Sequence, residues 1–194
     1  MDTLEKIERE IRLNKALPFY ADRIKSGARP VIGEGSLRAR IMFIGEAPGK
    51  NEALSGKPFC GASGKILDSL FESVGIFRRD IYITNIIKDR PPNNRDPMPK
   101  EIEAYAPYLD RQIMILKPRL IVTLGRFTMT YIMKRMGLDS KLESISKIHG
   151  RTFKAPAFYG GVGIVPLYHP AVAVYNANMK KVLIKDFKAV ARFK

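Results

Sequence analysis

Apolar residues recur along this chain in two rhythms, and the alternation between them predicts the layout. Leu4, Ile7, Ile11 and Leu13 stand at close to helical spacing among charged neighbours, which predicts a helix over residues 2–14 capped by Asp2 or Thr3. Residues 15–39 read as an irregular basic connection carrying Gly27, Pro30, Gly33 and Gly35. Residues 40–44 read as a short strand whose continuous apolar run, Ile41 to Ile44, is the mark of burial on both faces. A Gly- and Pro-rich loop follows to about residue 62, then a helix over 63–74 with Ile66, Leu67, Leu70 and Phe71 on one face and Gly75 as its stop. The pattern repeats: a strand over 80–87, a loop through 97 that its prolines keep irregular, and a helix over 100–116. A strand over 120–124 and a helix reaching about residue 136 come next. Residues 137–160 carry only a weak extended signal near Thr152 and Phe153; a strand over 163–167 and a basic helix over 178–192 close the chain.

Strands alternating with helices predict one α/β domain over residues 1–194, with a parallel sheet covered by helices on both faces. In such a sheet the loops leaving the strands lie along one edge, where open α/β sheets bind ligands. Three polar loops, 45–59, 84–95 and 168–176, are therefore expected to converge.

Charge suggests what meets them. The chain holds 34 Lys and Arg against 19 Asp and Glu, a formal net charge of +15, which favours a polyanion such as nucleic acid. Cys60 is the single cysteine, so neither an internal disulfide nor a cysteine-based metal cluster can form from this chain. The N-terminus lacks an apolar leader core, and no apolar run nears the ~20 residues that span a bilayer. An intracellular protein that binds no membrane is expected.

The loops carry the candidate chemistry. Phe59, beside Pro58 in a turn, offers a flat ring for stacking on a base; the plainer reading is a core anchor. Asn85 ends a strand with both a donor and an acceptor, a match for a base edge or simply for a turn. His169, before Pro170, can donate to a leaving group that gains negative charge, or be structural. Glu46 and Glu52 stand on one loop, where a carboxylate can hold water and oppose positive charge on a sugar. His149 lacks such a setting and reads as incidental. The Ser55-Gly56-Lys57 and Ser63-Gly64-Lys65 triplets lack the spacing of a phosphate-binding loop. Asp89 and Asp96 are separated by arginines and prolines, and no metal is assigned to them.

Four segments in order resemble the uracil-DNA glycosylase superfamily, nearest to its thermophile-type family four: Gly45-Glu46-Ala47-Pro48-Gly49, Gly56-Lys57-Pro58-Phe59, Thr84-Asn85-Ile86-Ile87-Lys88 with Arg90-Pro91-Pro92, and His169-Pro170-Ala171. The resemblance covers roughly residues 14–190. It implies a three-layer α/β/α fold around a four-stranded parallel sheet. It also implies hydrolysis of the bond between uracil and deoxyribose, leaving an abasic site. Glu46 is then the water-activating residue, and Gly45, Gly49 and Glu52 belong to the base pocket. Phe59 is the stacking ring, Asn85 the uracil reader and His169 the group near uracil O2. Arg90, Tyr175, Lys180 and Lys181 are expected on the DNA, with Tyr175 or a neighbouring valine as the wedge that fills the vacated stack. No lysine is singled out for Schiff-base chemistry, so no strand-cleaving step is expected. A monomer is expected.

The chain departs from that family at two features, the first being the histidine loop, which carries Val172-Ala173-Val174-Tyr175 where the family commonly places apolar residues and then Arg, and the second the cluster. The family usually carries a [4Fe–4S] cluster on four cysteines, and the corresponding positions here are Asn14, Leu17, Asp89 and Tyr105, none of which supplies a thiolate. No cofactor is therefore expected, with packing or hydrogen bonds holding those segments. The alternatives are a glycosylase for hypoxanthine, xanthine or mismatched thymine, a non-catalytic DNA-binding homologue, and an α/β protein that binds RNA or nucleotides.

Overall fold

A computed structural model describes residues 2–193, so the outermost residue at each end of the expected 1–194 domain lies outside the described residues. Its centre is a six-stranded sheet in the order β1-β3-β2-β4-β6-β5. β2 (Ile41–Gly45), β3 (Tyr82–Asn85), β4 (Leu120–Leu124) and β6 (Gly160–Leu167) run parallel, as expected. The edges differ from expectation. β1 (Glu34–Gly35) and β5 (Phe153–Ala157) pair antiparallel to β3 and β6. β1 is two exposed residues and β5 is interrupted by Pro156, so neither has a hydrophobic rhythm that announces a strand.

Alternate residues of β2 feed two different cores, which explains its unbroken apolar run. Ile41 and Phe43 pack with Leu67, Leu70 and Phe71 of α4 (Ala62–Ser73) and with Leu183, Phe187 and Val190 of α9 (Ala177–Ala191). Met42 and Ile44 face Leu109 and Ile113 of α5 (Pro99–Leu116) and Met129, Ile132 and Met133 of α6 (Arg126–Arg135). The three-layer arrangement follows. A third cluster joins α1 (Leu4–Leu13) to Tyr105 of α5 through Ile7, Ile11, Leu17 and Phe19.

The irregular segments contain more helix than their composition predicts. Residues 15–39 include α2 (Tyr20–Ser26), closed by Gly27 in the left-handed region at φ 64°. The Gly/Pro loop includes α3 (Lys50–Ser55), and the histidine loop includes α8 (Val172–Tyr175). The weakly patterned 137–160 stretch holds α7 (Ile145–Ile148) before β5. All of these are a turn or two long, too short for apolar spacing to show. The chain leaves β2 toward β3 and returns past it to β4, so β2 stands where the direction of winding reverses. Such a switch point opens a crevice at the carboxyl ends of the strands.

Candidate active site

The crevice is a cavity of about 590 Å³ walled by all three polar loops. It begins where Gly45 and Asn85 pair across β2 and β3. A Cβ at position 45 would strike Asn85 Oδ1 and fall 2.7 Å from the Phe59 ring, so only glycine lets carboxamide and ring meet there. The Phe59 and His169 rings stand 5.7 Å apart between centroids. Ring, carboxamide and imidazole thus share one slot.

Phe59 reaches it through backbone strain. Its φ is 49°, a conformation that costs a bulky residue on the order of 1 kcal/mol or more. Arg78 holds it there, donating from Nη2 to the Phe59 carbonyl at 2.6 Å and from Nη1 to the Pro58 carbonyl at 3.3 Å, while its Nε donates to Asp68 at 2.6 Å. The Phe59 carbonyl lies directly on Gly64, where any side chain would collide with it. Phe59 is buried in the first core cluster and also lines the cavity, so its place fits a core anchor and leaves it available to a ligand in the slot.

Asn85 is buried, and its Oδ1 has no hydrogen-bond partner among the described residues. Buried polar atoms are rarely left this way, and an orphan acceptor on a cavity wall is open to a donor from water or a ligand. His169 complements it. The Ala171 N–H donates to Nδ1 at 3.2 Å, which places the imidazole proton on Nε2. Burial pushes the ring down to about 4, against the opposing pull of Glu52, so it is neutral at pH 7. It therefore offers a donor without a formal charge.

The two carboxylates part company. Glu52 is on α3 rather than on an open loop, and its Oε1 accepts from the Cys60 and Gly61 N–H groups at 3.0 and 2.8 Å. It clamps the turn that carries Phe59, and its Oε2 lies where a side chain at Gly49 would go. Glu46 is not so engaged. Burial pushes its carboxyl up to about 7, with Asp96 adding to the rise and Arg126 opposing it. Arg126 Nη2 donates to Asp96 at 2.7 Å. Asp96 lines the same cavity, a role that local spacing did not reveal.

Among the expected DNA contacts, Tyr175 alone lines the cavity, and it is 89% exposed. Arg90 borders a separate groove and donates from Nε to Asn94 at 2.7 Å, and Lys180 and Lys181 lie outside the cavity on α9. His149 lies outside the cavity and has a structural place instead. Its Nδ1 is 2.7 Å from Asp186 Oδ2 and its ring lies tilted against that of Tyr168, 4.7 Å between centroids, so it pins α9 to the histidine loop from outside the slot.

Residues 32–190 match the family model of the Uracil DNA glycosylase superfamily. The chain belongs to this superfamily. It is 45% identical over 191 residues to the type-4 uracil-DNA glycosylase of Sulfurisphaera tokodaii, covering 98% of this chain and 84% of that one. Identity is also 45% over 191 residues to the type-4 enzyme of Saccharolobus solfataricus, covering 98% and 86%. It is 39% over 190 residues to that of Archaeoglobus fulgidus, covering 98% and 92%.

Membership in this superfamily raises the question of the iron–sulfur cluster. Asp89 is buried and accepts from Arg23 Nη1 at 2.9 and 2.8 Å and from the Tyr105 hydroxyl at 2.7 Å. Arg23 Nη2 also donates to the carbonyls of Ile11 and Arg12. Leu17 packs beside them in the third core, and Asn14 Nδ2 donates to the Tyr108 hydroxyl at 3.0 Å. A carboxylate and a phenol bonded to each other, an amide bonded to Tyr108 and a packed alkyl group do not fit a thiolate-held cluster. The same network joins α1, α2 and α5 to the loop after β3. Burial pushes the Asp89 carboxyl up, and Tyr105 and Arg23 oppose the rise. Asp89→Ala strands the buried guanidinium and is expected to cost about 3–5 kcal/mol in chemical denaturation, whereas the paired replacement Arg23→Met with Asp89→Leu costs clearly less.

Proposed function

We propose that this chain, acting as one domain, removes uracil from DNA by hydrolysis of its N-glycosidic bond and leaves an abasic site. The observation that carries the reading is the orphan Asn85 Oδ1 in a slot bounded by the Phe59 ring and the His169 imidazole. A uracil flipped into that slot stacks on Phe59 and gives its N3–H to Oδ1, while the Asn85 amide donates to O4. Cytosine presents the opposite pattern on that edge and pairs with Asn85 only if the carboxamide turns over.

Breaking the bond builds positive charge on the sugar and negative charge on the base. His169 Nε2–H donates to the base oxygen that gains charge. Glu46, ionised, holds the water that attacks C1′ and opposes the charge on the sugar. The base leaves as an anion and the water proton passes to Glu46. Tyr175 at the rim fills the vacated stack, while Arg90, Lys180 and Lys181 hold phosphates without reading sequence. The protein works inside the cell as a monomer, without a cluster. Among the described residues no helix is long and apolar enough to cross a membrane.

Alkaline cleavage of labelled oligonucleotides carrying one uracil, hypoxanthine, xanthine or mismatched thymine tests the reading. Breaks at uracil are expected, and breaks confined to another base would overturn it. Asn85→Asp loses the amide donor and faces O4 with a carboxylate. Its excision of uracil is expected to fall about 100-fold, with cytosine becoming a detectable substrate.

A further inference from the structure

Lys88 is the one lysine buried completely among the described residues. Its Nζ lies 2.7 Å from Thr84 Oγ1, 2.6 Å from the Asn85 carbonyl and 2.5 Å from Gln112 Oε1. The surroundings fix what each neighbour can do. The Thr84 hydroxyl donates to the Ile32 carbonyl at 2.6 Å, so it meets Lys88 with a lone pair. Gln112 Nε2 donates to the same carbonyl at 2.8 Å, which turns Oε1 toward Lys88. The Asn85 carbonyl can only accept. Three acceptors therefore face one nitrogen. A neutral amine has two N–H groups and would set its lone pair against the third acceptor, whereas an ammonium satisfies all three.

Burial lowers the Lys88 ammonium well below the usual lysine range, so the cage works against a desolvation cost. Among the described residues no carboxylate forms an ion pair with it. Asp89, next in the chain, is already committed to Arg23 and Tyr105. An ammonium at Lys88 thus has no counter-ion and stands behind the residue whose side chain lines the cavity. Asn85 needs such support, because its Oδ1 has no partner to fix the carboxamide.

We propose that Lys88 is a positioning residue of the excision reaction, anchoring Asn85 from behind and setting a buried positive charge against the negative charge that gathers on the departing base. This deepens the uracil-excision reading and rests on it. Covalent geometry puts the charge on the order of 8 Å from the base, where at an effective dielectric of about 20 a unit charge is worth about thirtyfold in rate.

Two measurements test this. In protein labelled with ¹⁵N at lysine, Nζ of Lys88 is expected to couple to three protons at neutral pH; coupling to two overturns the proposal. Single-turnover excision is then compared on DNA carrying uracil and DNA carrying 5-fluorouracil, whose fluorine makes the base a better leaving anion. Lys88→Met is expected to lose about thirtyfold on uracil and clearly less on 5-fluorouracil. Gln112→Glu keeps an oxygen on Lys88 and cancels its charge, so the same bias is expected. It decides the matter if Lys88→Met does not fold. Equal losses on both bases, with wild type active on uracil, would overturn the role of Lys88 alone. Wild type inactive on uracil would overturn the function and this role together.

Discussion

Replacing His169 with alanine is expected to lower single-turnover uracil excision about 100–1,000-fold while leaving affinity for uracil-DNA nearly unchanged. The imidazole is held in one tautomer by the Ala171 N–H, so its Nε2 proton is aimed before substrate arrives. Its use lies in the transition state, when the base oxygen gains charge, and little of it is felt in the ground state. With the ring pushed down to about 4, the histidine stays neutral across the working range. The pH profile of wild type should therefore show no falling limb near 6.5, the ordinary histidine value, where an imidazolium would lose its charge. Such a limb, or a His169→Ala loss confined to binding, would show that the imidazole acts as a cation or only shapes the pocket. A neutral donor suits this chemistry because it needs no second proton from solvent and does not repel the positive sugar.

What the sequence made legible depended on the length of the signal. The parallel strands and the helices of ten or more residues were readable, because each buries a face large enough to impose a rhythm. The convergence of Phe59, Asn85 and His169 followed from topology alone, since parallel strands send their following loops to one edge. The short helices and β1 were not readable, and β5 gave only the weak extended signal near Phe153. α3 changes the chemistry most: it turns Glu52 from an open loop acid into a clamp on the Cys60 and Gly61 amides, which leaves Glu46 as the available carboxylate. Asp96 and Lys88 were hidden for another reason. Asp96 acts on Glu46, close in space but distant in sequence, and Lys88, though it ends one of the segments that carry the resemblance, acts from behind the strand and is given no role by it. Arg23 is similar: no local feature tells that it crosses to Asp89, 66 positions on, where the family resemblance implied a cluster ligand.

Glu46→Gln is expected to remove more activity than any other change at the site, by about 100- to 10,000-fold, because it deletes the base that holds and deprotonates water. Its pH behaviour is as informative as its size. With the carboxyl pushed up to about 7, kcat/KM of wild type should rise tenfold per unit as pH climbs toward 7 and level off above it, while the Gln variant stays flat. DNA phosphates brought close to the slot raise the same group further, so the limb in kcat should lie at higher pH than the limb in kcat/KM. The stability effect has the opposite sign. A carboxyl whose folded value is above its unfolded value binds its proton more tightly when folded, so stability is present below about 4.5 and is lost as pH rises toward 7. The nominal penalty of about 3 kcal/mol falls to about 1–2 kcal/mol once the partial exposure of Glu46 and solvent screening are allowed for. Glu46→Gln should therefore be more stable than wild type at pH 8 and no more stable at pH 4, as chemical denaturation at the two pH values will show. A variant that gains stability while losing turnover would mark Glu46 as a group kept in an unfavourable place for its reaction, and equal stability at both pH values would place its carboxylate in open water.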